Sequence, residues 1–547
     1  MINRRPPIAL ACILLALTAV AEPTADAAPA AARPRESLVV LTDNGAVRGQ
    51  LGDRVREFKG IPFAAPPLGA LRWEVPVAAR PWRGELDATR YRSACPQPSR
   101  YGLTDASDDE DCLYLNVTVP TATARKGGKR PVFVWIHGGA FIGGSSNLYP
   151  LDYLARRGDM VVVSINYRLG VFGFMPHPAF APDYNGGYAL EDQRAALRWV
   201  QRNIRAFGGD PRNVTIAGES AGAASVCMQL FAPAEAAGLF RKAVVQSAAC
   251  VVPLRTAVEA NAIGVRVAAL VGCAEPTTAL GCLRSKSVAE LLDAATTAGA
   301  GELLAYAPTT GTRALPMGGS VALASGKFVR VPILNGGNRD EMRLYVGYDV
   351  AAGHGVTTAN YADKLKAIYG DQAPEVLAEY PAANYSSAPS ALGTAMSDYM
   401  PGGGLSNCLY LRTAELAARF VPVFEYEFAD RDAPPEMPDP GFELGAVHAA
   451  ELPYQFPHIS HTYKVDGPDL APAAQRLADQ MSEYWAAFAR TGQPSPVALP
   501  HWPRFVSARA VMRFEPGHVR PFNADAAHHC GFWRRLYPAV LGDRRSP

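Results

Sequence analysis

The pentapeptide Gly218-Glu219-Ser220-Ala221-Gly222 lies between a short β-branched run, Val214-Thr215-Ile216-Ala217, and a helix-compatible apolar segment, Ala223 to Leu230. A strand, a Gly-x-Ser-x-Gly turn and a helix together expose a serine hydroxyl at the tip of a sharp turn, because the glycines allow a backbone path that side chains would block. The amide of Ala221, the residue after the serine, then sits at a helix N-terminus, where developing negative charge is stabilised. A serine hydroxyl is a weak nucleophile at neutral pH. It needs a base within hydrogen-bond reach and an acid that orients the base. The pentapeptide alone establishes none of this, so the partners must be found elsewhere in the chain.

Ten histidines compete for the base. In strand-turn-helix serine sites the partners follow the serine in the order acid, then histidine. His448, in the loop Gly445-Ala446-Val447-His448-Ala449-Ala450-Glu451, is the best placed by that order. A candidate acid lies in Asn335-Gly336-Gly337-Asn338-Arg339-Asp340-Glu341, a turn after an apolar strand ending at Leu334. Asp340 and Glu341 are neighbours, and the residue pattern leaves both open. A lone loop histidine or a turn carboxylate is commonly a solvated surface group. The combination carries the argument. An oxyanion needs backbone N–H donors, and His137-Gly138-Gly139-Ala140-Phe141 supplies a glycine loop directly after the strand ending Trp135-Ile136.

These residues require a scaffold that presents strand ends side by side. Pro131 to Ile136 and Met160 to Ile165 are continuous apolar runs, as expected of parallel strands buried on both faces. Asp152 to Arg157 can form a helix between them, and Glu191 to Phe207 carries apolar residues at helical spacing before Gly208-Gly209. Phe240 to Ser247 and Val329 to Leu334 are further expected strands, and Leu38 to Phe63 an antiparallel meander. The alternation predicts an α/β fold with a mostly parallel, doubly wound sheet. Segments 255–325 and 345–440 fit it poorly and are expected to be helical excursions over the C-terminal strand ends, where such sheets place their sites.

The 547 residues are 48% hydrophobic and 19% charged, enough apolar material for a large core. A net charge of +2 gives no electrostatic ground for a nucleic-acid partner. Arg4 and Arg5, the apolar run Ile8 to Val20 and Ala19-Val20-Ala21 have the form of an export signal over residues 1–21, with further small-residue cleavage sites up to Ala30. Residues 22–36 form an Ala/Pro-rich lead-in. No other run is apolar enough to span a bilayer, so a mature chain without a membrane span is expected. Cys12 would leave with the leader, and the eight remaining cysteines, without Cys-x-x-Cys spacing, favour disulfides over a metal site.

Further motifs bring a family into view: Phe58-Lys59-Gly60-Ile61-Pro62-Phe63-Ala64, Glu110 to Val117, Asn166-Tyr167-Arg168-Leu169-Gly170, and Ala189-Leu190-Glu191-Asp192-Gln193 through Phe207-Gly208-Gly209-Asp210-Pro211. With the serine, glycine-loop and histidine segments, they resemble the type-B carboxylesterases, the cholinesterase-like branch of the α/β-hydrolases, over Leu38 to Leu541. The resemblance implies one α/β-hydrolase domain over 37–541, with helical insertions above the site. It implies Ser220 as nucleophile, His448 as base and Glu341, rather than Asp340, as acid. The oxyanion donors would be the amides of Gly139, Ala140 and Ala221, with Glu219, Ser225 and Glu451 supporting. It suggests the pairs Cys95–Cys112, Cys273–Cys282 and Cys408–Cys530, and gives Cys227 and Cys250 no partner, which leaves them as buried thiols, the preferred expectation, or as a fourth bridge.

The expected activity is hydrolysis of a small-molecule carboxylic ester through an acyl-enzyme, with no cofactor and no metal. The same machinery would serve an amide, carbamate or lactone. A catalytically inactive cholinesterase-like adhesion protein is the reading from another class, and it is disfavoured by the presence of both nucleophile and base. Residues 96–111 contain Tyr101 but no tryptophan to hold a quaternary ammonium, which favours a neutral ester.

Overall fold

Alternation of side chains on the central strands sets the architecture. On β7 (Arg130–Ile136), Val132, Val134 and Ile136 belong to one buried layer, whereas Phe133 and Trp135 belong to the other. A strand apolar on both sides must be covered on both sides, and helices supply the cover. The computed structural model describes Met1 and residues 37–99, 106–122, 128–459 and 469–542. The export signal, the lead-in and Tyr101 lie outside the described residues. From Leu38 onward the chain forms one compact unit.

In chain order the strands are β1 (Val39–Thr42), β2 (Gly45–Arg48), β3 (Gln50–Leu51), β4 (Val55–Pro62), β5 (Glu85–Asp87), β6 (Tyr114–Pro120), β7, β8 (Val161–Ile165), β9 (Gly209–Glu219), β10 (Lys242–Gln246), β11 (Ile333–Asn338), β12 (Val423–Phe428), β13 (Val511–Glu515) and β14 (His518–Phe522). Among the described residues, the large sheet has the order β14-β13-β12-β11-β10-β9-β7-β8-β6-β4-β3. The run from β8 through β7, β9, β10, β11 and β12 to β13 is parallel, and the edges are antiparallel. β1, β2 and β5 form a separate three-stranded sheet. The expected meander is therefore two hairpins, β1–β2 and β3–β4, in different sheets.

The helices that matter for the site are α1 (Asp152–Gly158), α2 (Tyr188–Asn203), α3 (Ala221–Leu230), α4 (Arg343–Ala351), α5 (Asn407–Ala417) and α6 (Pro472–Thr491). α2, α3 and α5 pack on one face of the sheet, and α1 and α6 on the other. α6 buries Leu477, Met481, Trp485 and Phe488, spaced by three to four residues. Each such side chain contributes about 1.5–3 kcal/mol on burial, and together they fix α6 beneath the strand ends.

Two expectations need correction. The strand expected at Val329–Leu334 is Ile333–Asn338. Pro332 has no N–H to give a ladder, and the polar stretch Asn335 to Asn338, which reads as a turn, is fully buried strand. Segment 345–440 is not wholly helical, because it contains β12. Glu425 and Glu427 break that strand's apolar pattern, yet both are buried: Glu425 accepts from Asn335 Nδ2 at 2.8 Å, and Glu427 accepts from Arg513 Nε at 2.7 Å.

Glu427 also meets His528, whose Nδ1 bonds Asp398 Oδ1 at 2.6 Å while its Nε2 contacts Glu427 Oε2. Burial alone would favour the neutral ring, but Glu427 and Asp398 outweigh it and raise the imidazolium to about 10. This stabilisation is complete below the unfolded histidine pKa of about 6.5 and is lost as pH rises through the folded value. His528→Gln leaves two carboxylates facing each other and should cost about 3–5 kcal/mol in urea unfolding at pH 6. The gap to wild type should narrow towards pH 10; a pH-independent gap would contradict the charged assignment.

Candidate active site

β9 carries the chain to Ser220, and α3 starts one residue later. Ser220 has φ 55° and ψ −125°, a conformation that costs a non-glycine residue about 1–3 kcal/mol. Its neighbours over-determine it. The Ser220 N–H donates to the Gln246 carbonyl at the end of β10, and its carbonyl accepts from the Ala224 N–H, both at 2.9 Å. Gly222 presses on the end of β7, where a Cβ would collide with the Ile136 carbonyl oxygen. The second glycine of the pentapeptide is thus a packing requirement.

Three residues past β11, the fully buried Glu341 places Oε2 2.7 Å from His448 Nδ1. Its Oε1 accepts from the Asn338 N–H at 2.8 Å and from Tyr410 Oη at 2.9 Å. His448 Nε2 lies 2.9 Å from Ser220 Oγ. With the carboxylate on Nδ1, the neutral ring carries its proton there and leaves Nε2 free to accept the serine proton.

Asp340 has a different task. Its Oδ2 accepts from the Ala446 N–H at 3.1 Å and from Arg431 Nε at 3.2 Å, and its own N–H donates to the Ala446 carbonyl at 2.9 Å. It clamps the loop that carries His448, while Glu341 alone of the two faces the ring. Glu451 braces the same loop from below. It accepts from Gln246 Nε2 at 3.2 Å and from Asn338 Nδ2 at 2.6 Å, and Trp485 Nε1 on α6 donates to Gln246 Oε1 at 2.9 Å.

Glu219 Oε1 lies 3.2 Å from His448 Nε2 but accepts no hydrogen bond. Burial, set against the attraction of His448, pushes the Glu219 carboxyl up to about 8. Burial alone would lower His448, but the Glu219 and Glu341 carboxylates outweigh it and hold the imidazolium above its ordinary range. The two groups compete for protons and titrate as a pair.

Beyond β7, Gly139, Ala140 and Phe141 have φ of 111°, 52° and 65°. The curl closes when the Ile142 and Gly143 amides both donate to the Gly139 carbonyl at 3.0 Å. Among the described residues no acceptor takes the Gly139 or Ala140 amide. Both residues, with Ser220 and His448, line a cavity of about 650 Å³. Burial lowers His137 to about 4. Its neutral ring lies 4.4 Å from that of Tyr167 (centroid to centroid), whose hydroxyl donates to the His137 carbonyl at 2.8 Å, so the loop has a rigid base.

The structure thus brings Ser220, His448, Glu219, Gly139 and Ala140 together at one cavity, with the buried Glu341 behind His448 and Ala221 opening α3 beside them. Ser225 faces the other way and accepts from Gln193 Nε2 of α2 at 3.0 Å, which seats α3 on α2. The pairs Cys95–Cys112, Cys273–Cys282 and Cys408–Cys530 are bonded. Cys227 and Cys250 are not thiols but a fourth disulfide. β10 runs parallel to β9, so the segment after β10 returns beside α3 and brings the two Cα atoms within 5.4 Å. Cavity-wall residues Tyr149, Tyr345, Tyr348 and Glu436 are absent from the sequence reading. The spacing of Tyr345 and Tyr348, three residues apart just after Glu341, was an available sign that they share a helix face.

A sequence profile of the carboxylesterase family matches residues 36–533. The chain belongs to this family. It is 35% identical over 514 residues to the fumonisin B1 esterase of Sphingopyxis macrogoltabida, covering 90% of this chain and 89% of that one. It is 35% identical over 479 residues to the para-nitrobenzyl esterase of Bacillus subtilis, with 85% and 92% covered. To the cocaine esterase of Homo sapiens it is 33% identical over 527 residues, with 90% and 89% covered. A solved thermophilic PNB esterase superposes with a TM-score of 0.73 at 31% identity, covering 90% of this chain and 99% of the other. The fold is that of an α/β-hydrolase, and this carboxylesterase is a carboxylic ester hydrolase.

The geometry separates the two adjacent acids. Glu341→Gln should lower kcat by about 10³–10⁴-fold, because an amide no longer enforces the ring tautomer. Asp340→Asn should cost less than about tenfold in kcat and act chiefly on Tm. Steady-state kinetics and thermal melts of both variants check this, and the reverse order of kcat losses would refute it.

Proposed function

We propose that this carboxylesterase is an exported serine esterase that cleaves a neutral ester through an acyl-enzyme on Ser220. The observation that carries the reading is the relay from Ser220 Oγ to His448 Nε2 at 2.9 Å and from His448 Nδ1 to Glu341 Oε2 at 2.7 Å. Ser220 Oγ attacks the ester carbonyl carbon while its proton passes to Nε2, and Glu341 stabilises the imidazolium. The amides of Gly139, Ala140 and Ala221 receive the carbonyl oxygen as it becomes an oxyanion, each donor contributing roughly 10²–10³-fold in rate. The intermediate collapses by breaking the bond to the alcohol oxygen, which takes the proton from Nε2. Water, deprotonated by His448, then attacks the acyl carbon and releases the acid and free Ser220.

A neutral substrate is supported by the cavity wall, whose described residues include no lysine or arginine. Burial pushes its Glu436 carboxyl up to about 8, which weakens the pull of this wall on a cationic substrate. Export is supported by the four disulfides, which persist in oxidising compartments. Residues 1–21 would be the leader and 37–541 one catalytic domain. No described helix is long and apolar enough to cross a membrane.

The test is hydrolysis of p-nitrophenyl esters by the purified protein and by Ser220→Ala. Loss of the nucleophile should reduce kcat by about 10⁴–10⁶-fold. Equal activity in both proteins would defeat the proposal.

A further inference from the structure

The acid of the relay is held from a helix that supplies no group to the cavity. Tyr410 lies on α5, is 2% exposed and is not among the described residues of the cavity wall. Its hydroxyl donates to Glu341 Oε1 at 2.9 Å, the oxygen that does not face His448. Space for this contact comes from Gly337 of β11, where a Cβ would collide with both the Tyr410 ring and Glu341 Oε1. A glycine at that position is therefore a condition of the bond.

α5 is also fastened to the strand that leads to the acid. Asn407, its first residue, donates from Nδ2 to the Arg339 and Ser397 carbonyls, both at 3.2 Å. Asn335 Nδ2 on β11 reaches the Tyr410 carbonyl at 3.3 Å. The neighbouring Cys408 is bonded to Cys530. The helix thus cannot slide past Glu341, and the phenol has a fixed place.

A carboxylate can turn about its last bond and present either oxygen to a partner. Here the Asn338 N–H and the Tyr410 hydroxyl both occupy Oε1, which leaves Oε2 for His448 Nδ1. The amide holds Oε1 from the strand and the phenol holds it from the helix. A phenol keeps its proton at neutral pH, so it can only donate to a carboxylate. Hydrogen bonds to an ionised acceptor are roughly twice as strong as neutral ones.

We infer that Tyr410 is a positioning residue of the esterase reaction: its hydroxyl fixes the Glu341 carboxylate so that Oε2 stays on His448 Nδ1 through both half-reactions. It acts through Glu341 alone. This assignment rests on the serine-esterase reading.

The test is a double-mutant cycle with p-nitrophenyl acetate: wild type, Tyr410→Phe, Glu341→Gln and the two combined, each on its pH plateau. Tyr410→Phe should lower kcat by about 5–50-fold, part of the worth of one hydrogen bond to a charged group. KM should change by less than about twofold, because acylation and deacylation share the same histidine and slow together. In the Glu341→Gln background the same substitution should alter kcat by less than about twofold, since no carboxylate remains to be positioned. The downfield proton resonance of His448 Nδ1–H should also move in Tyr410→Phe. If that variant does not fold, 3-fluorotyrosine at position 410, a stronger donor of nearly the same shape, replaces it and should change kcat only where Glu341 is present. An equal loss of kcat in both backgrounds would mean that Tyr410 merely packs α5, and it overturns the inference. Full kcat in Tyr410→Phe, or a change confined to KM, overturns it too. Hydrolysis that persists in Ser220→Ala defeats the esterase reading itself.

Discussion

A neutral imidazole can accept a serine proton only if its other nitrogen is held protonated and the ring cannot turn. The 2.7 Å hydrogen bond from His448 Nδ1 to Glu341 Oε2 meets both demands, and much of the surrounding structure maintains it. Glu341 is fully buried, so its charge is not screened by water. Asn338 and Tyr410 occupy its second oxygen. Asp340 ties down the histidine loop through Ala446, and Glu451 links that loop to Asn338 and Gln246 at the ends of β11 and β10. Several carboxyls around one imidazole would repel one another if all were ionised. The upward shifts of Glu219, Glu436 and Glu451 relieve part of that repulsion.

The parallel sheet makes this arrangement possible. β7, β9, β10 and β11 are contiguous in space, although long helical segments separate some of them in sequence. Each contributes at its C-terminal end: β7 the Gly139–Ala140 curl, β9 Ser220, β10 the Gln246 brace, β11 the turn to Glu341. The strained φ of Ser220 persists because neighbouring strands hold both sides of the turn. The disulfide from Cys227 to Cys250 joins α3, which follows the serine, to the segment after β10. Elements that converge on the serine are thus connected by hydrogen bonds, packing and a covalent link.

The serine turn and the Gly139–Ala140 curl that meet at the cavity were legible in the sequence as candidates because strained turns leave local signatures. Gly218 and Gly222 flank the serine, and a glycine pair follows the Ile136 strand. The choice between Asp340 and Glu341 was not legible from residue pattern, since adjacent side chains point in different directions only once the turn is folded; the family resemblance pointed to Glu341. β12 escaped notice because Glu425 and Glu427 interrupt its apolar run, and their partners, Asn335, Arg513 and His528, lie far away in sequence. The end of β11 was hidden for a like reason, with buried asparagines and glycines in the places of aliphatic residues. Cys227 and Cys250 are brought together only by the strand crossover. Glu436 has no local signature at all, since its place in the cavity depends on how the segment before His448 folds back over α4.

The central claim is that Ser220 carries the acyl group between two half-reactions governed by one histidine. Rapid acid quench of the enzyme with excess p-nitrophenyl ester, followed by peptide mass spectrometry, tests it most directly. The account predicts an acyl mass increment on the peptide containing Ser220, formed within the first turnover and lost as substrate is exhausted. Hydrolysis at full rate with no adduct, or with the adduct on another residue, would contradict it.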